Sequence, residues 1–144
     1  MKKFFALMCA VVLMGMGTTY AMAGAPEVGD KYVDVELKDA EGNAIAVSDL
    51  LAEGKWVLID FWATWSGPCR QEIPHLAKAY EKFAPKRLEI YGVALWGPGR
   101  ERAWKDYVKD NAIPANFLYS PEGKLVAKNL RGEEIEKILA EHIK

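Results

Sequence analysis

Apolar and polar positions alternate from Val33 to Leu37, and the turn cluster Asp39-Ala40-Glu41-Gly42 separates this stretch from a weaker apolar run at Ala44 to Val47. That spacing predicts a hairpin near the start of the folded region. Ser48-Asp49 precedes the leucines of a short helical turn. Trp56 to Trp62 is then an apolar run broken only by Asp60, as expected of a central strand buried on both faces. From Cys69 onward, Ile73, Leu76, Ala77, Tyr80 and Phe83 recur at helical spacing, so the strand feeds an amphipathic helix with that face inward. Pro74 lies inside it and removes the hydrogen bond to Arg70, which predicts a kink.

A second strand is expected from Leu88 to Trp96, ended by Gly97-Pro98-Gly99, and a helix from about Arg100 to Val108. Asn116 to Tyr119 and Lys124 to Leu130 flank Ser120-Pro121-Glu122-Gly123. There Pro and Gly take the second and fourth places of a type I turn, predicting a hairpin. Ile135, Ile138, Leu139 and His142 mark one face of a C-terminal helix. The order β-α-β-α-β-β-α, with one crossover unit and a terminal hairpin, describes an α/β sheet with helices on both faces. No repeat, low-complexity tract or linker divides the chain.

The N-terminal segment changes the accounting. Lys2 and Lys3, the apolar run Phe4 to Met16 and the small residues of Ala21-Met22-Ala23 have the layout of a secretory signal, with cleavage expected after Ala23. The run falls short of the roughly 20 residues that cross a bilayer, so no lasting membrane association is expected after cleavage. Too few apolar residues precede Cys9 for it to be a lipoprotein site. Residues 24–144 remain as one domain of 121 residues, with 17 basic and 20 acidic side chains and a formal charge of −3. This balance, with no basic run, gives no support to nucleic acid or an anionic membrane as partner. Two distant histidines and one remaining cysteine make no zinc site of the usual spacing, and no metal or cofactor is implied. Cys69 is alone once Cys9 is lost, so it is a reactive thiol, an intermolecular partner or an inert buried residue.

The stretch Phe61-Trp62-Ala63-Thr64-Trp65-Ser66-Gly67-Pro68-Cys69-Arg70-Gln71-Glu72-Ile73-Pro74 resembles the active-site segment of the thioredoxin superfamily, in particular its TlpA/ResA branch of exported thiol:disulfide oxidoreductases. The resemblance extends upstream to Gly42 and Ser48-Asp49-Leu50. Downstream it reaches Ala112-Ile113-Pro114 and Asn129-Leu130-Arg131-Gly132, so it covers almost all of residues 24–144. It implies a thioredoxin-like fold with a mixed central sheet, helices on both faces and an N-terminal hairpin extension. It also implies an exported monomer, periplasmic in a Gram-negative source, acting on protein or small-molecule thiols and disulfides.

In such proteins a Cys-x-x-Cys motif opens the helix. A thiolate at a helix N-terminus is stabilised by unpaired N–H groups and the dipole, and it attacks a disulfide that a second cysteine then resolves. By the resemblance the nucleophile's position is Ser66 and the resolver's is Cys69. A serine hydroxyl exchanges no electrons with a disulfide, so the two-thiol cycle is closed to this chain. Ser66 is nevertheless a favoured helix cap, able to accept the Cys69 N–H, and Pro68 suits a first turn. The resemblance further makes Asp60 the acid that relays protons to the resolver, and acids in buried strands are costly without a role. It makes Pro114 a cis proline facing the motif, with Ile113, Trp65, Gly67 and Pro68 beside a peptide groove; Trp62 suits that groove or the core. His75 and His142 read as structural, the first on a helix surface and the second at a helix C-terminus.

The chain departs from its branch between Trp104 and Ala112, where relatives carry a longer segment, and at Ala115, where they commonly have threonine. Three functions stay open: monothiol exchange at Cys69, a redox-inactive peptide-binding module using strand addition, and a one-cysteine peroxidase passing through a sulfenic acid. Against the last, Trp62 stands where the peroxidase motif has proline, and Arg70 is the one candidate activating arginine.

Overall fold

The computed structural model describes residues 25–95 and 113–144. The signal segment, Trp96, the Gly97-Pro98-Gly99 break, the helix expected at Arg100 to Val108 and the Trp104 to Ala112 departure lie outside these residues.

Strands β1 (Glu36–Lys38) and β2 (Ala44–Ala46) form a small antiparallel sheet. Their turn is held by Asp39, whose Oδ1 accepts from the Glu41 and Asn43 amides at 3.0 and 2.8 Å. The first strand is shorter than the alternation from Val33 predicted, because Val33 and Val35 are drawn into packing against the main sheet. Helix α1 (Val47–Ala52) follows, with Asp49 accepting from the Ala46 amide at 3.1 Å at its N-terminus.

The main sheet has the order β4-β3-β5-β6, built from β3 (Trp56–Trp62), β4 (Leu88–Ala94), β5 (Ala115–Tyr119) and β6 (Leu125–Lys128). β3 runs parallel to β4 and antiparallel to β5, so Asp60 lies in register with Gly92 on one side and Asn116 on the other. β6 stops at Lys128, short of the predicted Leu130. The next residues turn away: Asn129 adopts a positive φ of 55° and its amide bonds the Asn116 carbonyl at 2.8 Å. The β5–β6 turn closes with Gly123 N–H on the Ser120 carbonyl at 2.8 Å, as the Ser-Pro-Glu-Gly pattern predicts. Gly123 has φ of 78°, and a Cβ there would come within 2.6 Å of the Tyr32 ring, so glycine is needed on both counts.

Successive β3 residues face opposite sides, and each side has its own core. Val57, Ile59 and Phe61 pack with Val47, Leu51, Tyr91 and Phe117 under the hairpin and α1. On the other side Leu58 and Leu118 meet α2 (Gly67–Phe83) and α3 (Glu133–His142) through Ala79, Phe83, Ile135 and Leu139. The hairpin is tied down by Tyr91, whose hydroxyl donates to the Ile45 carbonyl at 2.7 Å. Acidic Glu133, Glu134 and Glu136 crowd the first turn of α3, where the dipole favours them, and His142 lies in its last turn against Trp56.

α2 runs unbroken through Pro74, but its inward face is not the predicted one. Cys69, Ala79 and Phe83 are buried, whereas Ile73 and Tyr80 are 46% and 41% exposed and Ala77 is also exposed. The apolar stripe is wider than the contact with the sheet and α3, so one side of it borders an open pocket over β4.

Candidate functional site

The end of β3 turns through Ala63, Thr64 and Trp65 into α2. Ser66 donates its amide to the Ala63 carbonyl at 3.2 Å and accepts at its own carbonyl from the Arg70 amide at 3.1 Å. Its Oγ accepts from the Cys69 amide at 3.2 Å, the cap expected of serine in this place. The Arg70 guanidinium donates to the Thr64 carbonyl at 2.6 Å and clasps the turn from outside. Pro68 sits exposed in the first helical turn and Gly67 is half-buried.

Ser66 is buried, and Cys69 is a free thiol only 2% exposed. The structure thus joins the two motif positions by a hydrogen bond and places the thiol on the inner side of the helix. Trp65, between them and the strand, is 71% exposed. His75 is half-buried rather than on the open surface, with Nε2 near the Gly132 backbone. Trp62 walls the pocket between α2 and β4.

The Ile113–Pro114 peptide is cis, as the resemblance implies. The Phe61 to Ala115 register brings Pro114 to the level of Trp62, at the strand end that feeds Ser66. Pro114 is buried and Ile113 half-buried.

Three residues with no role assigned from sequence hold this corner together. Arg131 donates to the Leu130 carbonyl at 2.8 Å and also to the Pro114 carbonyl. Asn116 donates through Nδ2 to the Leu130 carbonyl at 2.9 Å and accepts from the Leu130 amide at 2.8 Å. Glu72 on α2 accepts from the Gly132 amide at 2.8 Å. The loop 129–132 therefore braces both the cis proline and the catalytic helix. A polar Asn116 inside the apolar run Ala115–Tyr119 was the available signal for one of the three.

Asp60 is 6% exposed, and its Oδ1 has no hydrogen-bond partner among the described residues. Desolvation pushes its pKa up to about 7; Arg131 pulls it back and Glu72 adds to the rise. A carboxyl half-protonated near neutrality can give or take a proton there. Among the described residues no three His, Cys, Asp or Glu side chains are grouped to hold a metal ion, and no helix is long and apolar enough to cross a membrane.

A thioredoxin-like scaffold with a cis proline opposite a helix-opening Ser-Gly-Pro-Cys defines a class of redox proteins, and comparison with known proteins agrees. The sequence model of the AhpC/TSA family matches residues 28–131. The thiol-disulfide oxidoreductase ResA of Bacillus subtilis (strain 168) is 27% identical over 157 aligned positions, covering 95% of this chain and 86% of that protein. ResA of Oceanobacillus iheyensis is 39% identical over 121 positions, covering 68% and 62%. Among solved structures, the thioredoxin domain of a thiol-disulfide oxidoreductase from Bacteroides vulgatus superposes with a TM-score of 0.70 at 28% identity, covering 83% of this chain and all of that one. The C-terminal domain of a putative thiol-disulfide oxidoreductase from Bacteroides thetaiotaomicron gives a TM-score of 0.64 at 31% identity, covering 81% and 96%. The chain belongs to the AhpC/TSA family and, within it, to the ResA-like thiol-disulfide oxidoreductases.

Proposed function

We propose that this chain is an exported member of the family whose two-thiol cycle is disabled at Ser66, leaving at most monothiol exchange at Cys69. The observation that carries this reading is the Ser66 Oγ cap on the Cys69 amide, because it keeps the helix start in order while putting a hydroxyl in the nucleophile's place. In monothiol exchange the Cys69 thiolate attacks one sulfur of a partner disulfide, forms a mixed disulfide and releases the other sulfur as a thiolate. With no second thiol in the motif, an external thiol must free Cys69 again. Asp60 takes up the Cys69 proton, Trp65, Gly67 and Pro68 face the partner, and Ile113 and Pro114 form its wall. Export rests on the Lys2-Lys3, apolar and Ala21-Met22-Ala23 sequence, and a mature N-terminus at Gly24 is its direct readout.

The burial of Cys69 favours a second reading, a redox-inactive module that binds extended peptides beside Trp65 and Pro114 by strand addition. The same burial weighs against a peroxidase, since peroxide must reach the sulfur.

Alkylation of Cys69 against pH, in the folded protein and in denaturant, separates the readings. A folded-state reaction with an apparent pKa below about 8.5 supports the working thiol. Reaction only after unfolding replaces it with the peptide-binding module.

A further inference from the structure

Between α2 and β4 lies a pocket of about 360 Å³, within the size range of small-ligand sites. Ile73, Leu76 and Tyr80 wall it from the helix, and Trp62 and Ile90 from the sheet. Its opening has a simple cause: Gly92 is the in-register neighbour of Asp60, and neighbours in register project to the same face. With no side chain at 92, the space beside the Asp60 carboxyl is left to the pocket. Asp60 lines it, and its Oδ1 lacks a donor among the described residues. No lysine, arginine or histidine nitrogen of these residues makes an ion pair with it. The charged groups that act on it are Arg131, from the loop before α3, and Glu72, from α2.

We propose that this pocket binds a small organic amine, with the ammonium on Asp60 Oδ1 and an apolar body between α2 and β4. A buried acceptor without a donor is a costly group, and a cationic donor relieves it best because its hydrogen bond is charge-assisted. Anions are turned away by Asp60 and Glu72. The tryptophan and tyrosine in the walls favour a cation further where their ring faces meet it. The volume suits one ring and a short tether, since a cavity of about 150 Å³ holds benzene. This site does not involve the thiol, so it stands or falls independently of the chemistry proposed for Cys69.

The test is titration of the purified protein with 2-phenylethylamine at pH 8, followed by amide chemical shifts, with 2-phenylethanol as the uncharged isostere. Saturating shifts are expected at Gly92 and Ala77, with the alcohol binding at least tenfold more weakly. Asp60→Asn should weaken the amine at least tenfold and leave the alcohol little changed, while Ala77→Phe, at an exposed helix position, should block both. No saturable shift at these amides, equal affinity for amine and alcohol, or undiminished amine binding by Asp60→Asn would each overturn the proposal. Should Asp60→Asn fail to fold, the comparison of amine and alcohol on the unaltered protein decides the question.

Discussion

A carboxyl between Ile59 and Phe61 in a central strand sits where few charges are found, and Asp60 accepts that position by holding its proton to about pH 7. The folded pKa lies above the unfolded value of 3.8, so the folded state binds more protons between these two limits. Stability is therefore greatest below the lower limit and falls as pH rises through the window, by up to about 1.4 kcal/mol per pH unit. Arg131 softens this loss and Glu72 deepens it. Asp60→Asn removes the titration. Denaturant unfolding at pH 4.5, 6 and 8 should show the variant gaining on the original protein as pH rises, by an amount on the order of 2–4 kcal/mol by pH 8. Parallel stability curves would mean that water or a bound group already satisfies this carboxyl. The same residue ties the candidate proton relay to the pocket.

At the level of elements, the site is held less by the motif than by what braces it. The loop 129–132 bonds the cis-proline carbonyl through Arg131, the start of β5 through Asn116 and helix α2 through Glu72. Asn116→Ala leaves the Leu130 amide and carbonyl without their side-chain partner in a buried place, and each such group costs about 1–3 kcal/mol. A loss of at least about 2 kcal/mol is expected in chemical denaturation with an unchanged m-value; a loss below about 0.5 kcal/mol would show that the loop supports itself.

These bonds mark where sequence stops being informative. β3 was legible at both ends, because an apolar run broken by one acid has few other uses. The Ser66 cap was legible because the residues involved are three apart. The Arg131 and Glu72 contacts join residues 17 and 60 positions apart, which no local period encodes. The inward face of α2 was misplaced for a related reason. Periodicity locates an apolar stripe, but which part of a broad stripe touches the sheet depends on a glycine at position 92 of another strand.

Across the whole molecule, two cores clamp the main sheet from opposite sides, and both come together around β3, the strand that ends at the motif. The scaffold of a thiol-disulfide oxidoreductase is intact in every described part: cap, cis proline, buried acid and bracing loop. Its missing atom is a sulfur at position 66. If that is the whole of the difference, Ser66→Cys alone restores a dithiol. The introduced thiol attacks a substrate disulfide, and Cys69, one helical turn on, attacks the mixed disulfide and releases both substrate thiols, leaving the pair oxidised. The variant, reduced beforehand, should then reduce a model protein disulfide in a single turnover, and with dithiothreitol as electron donor it should continue catalytically. Neither the original protein nor Ser66→Ala should complete that two-thiol turnover. A variant that folds, carries two titratable thiols and still fails would place the block in Cys69's burial and its surroundings, and the peptide-binding reading would then account better for why the fold persists.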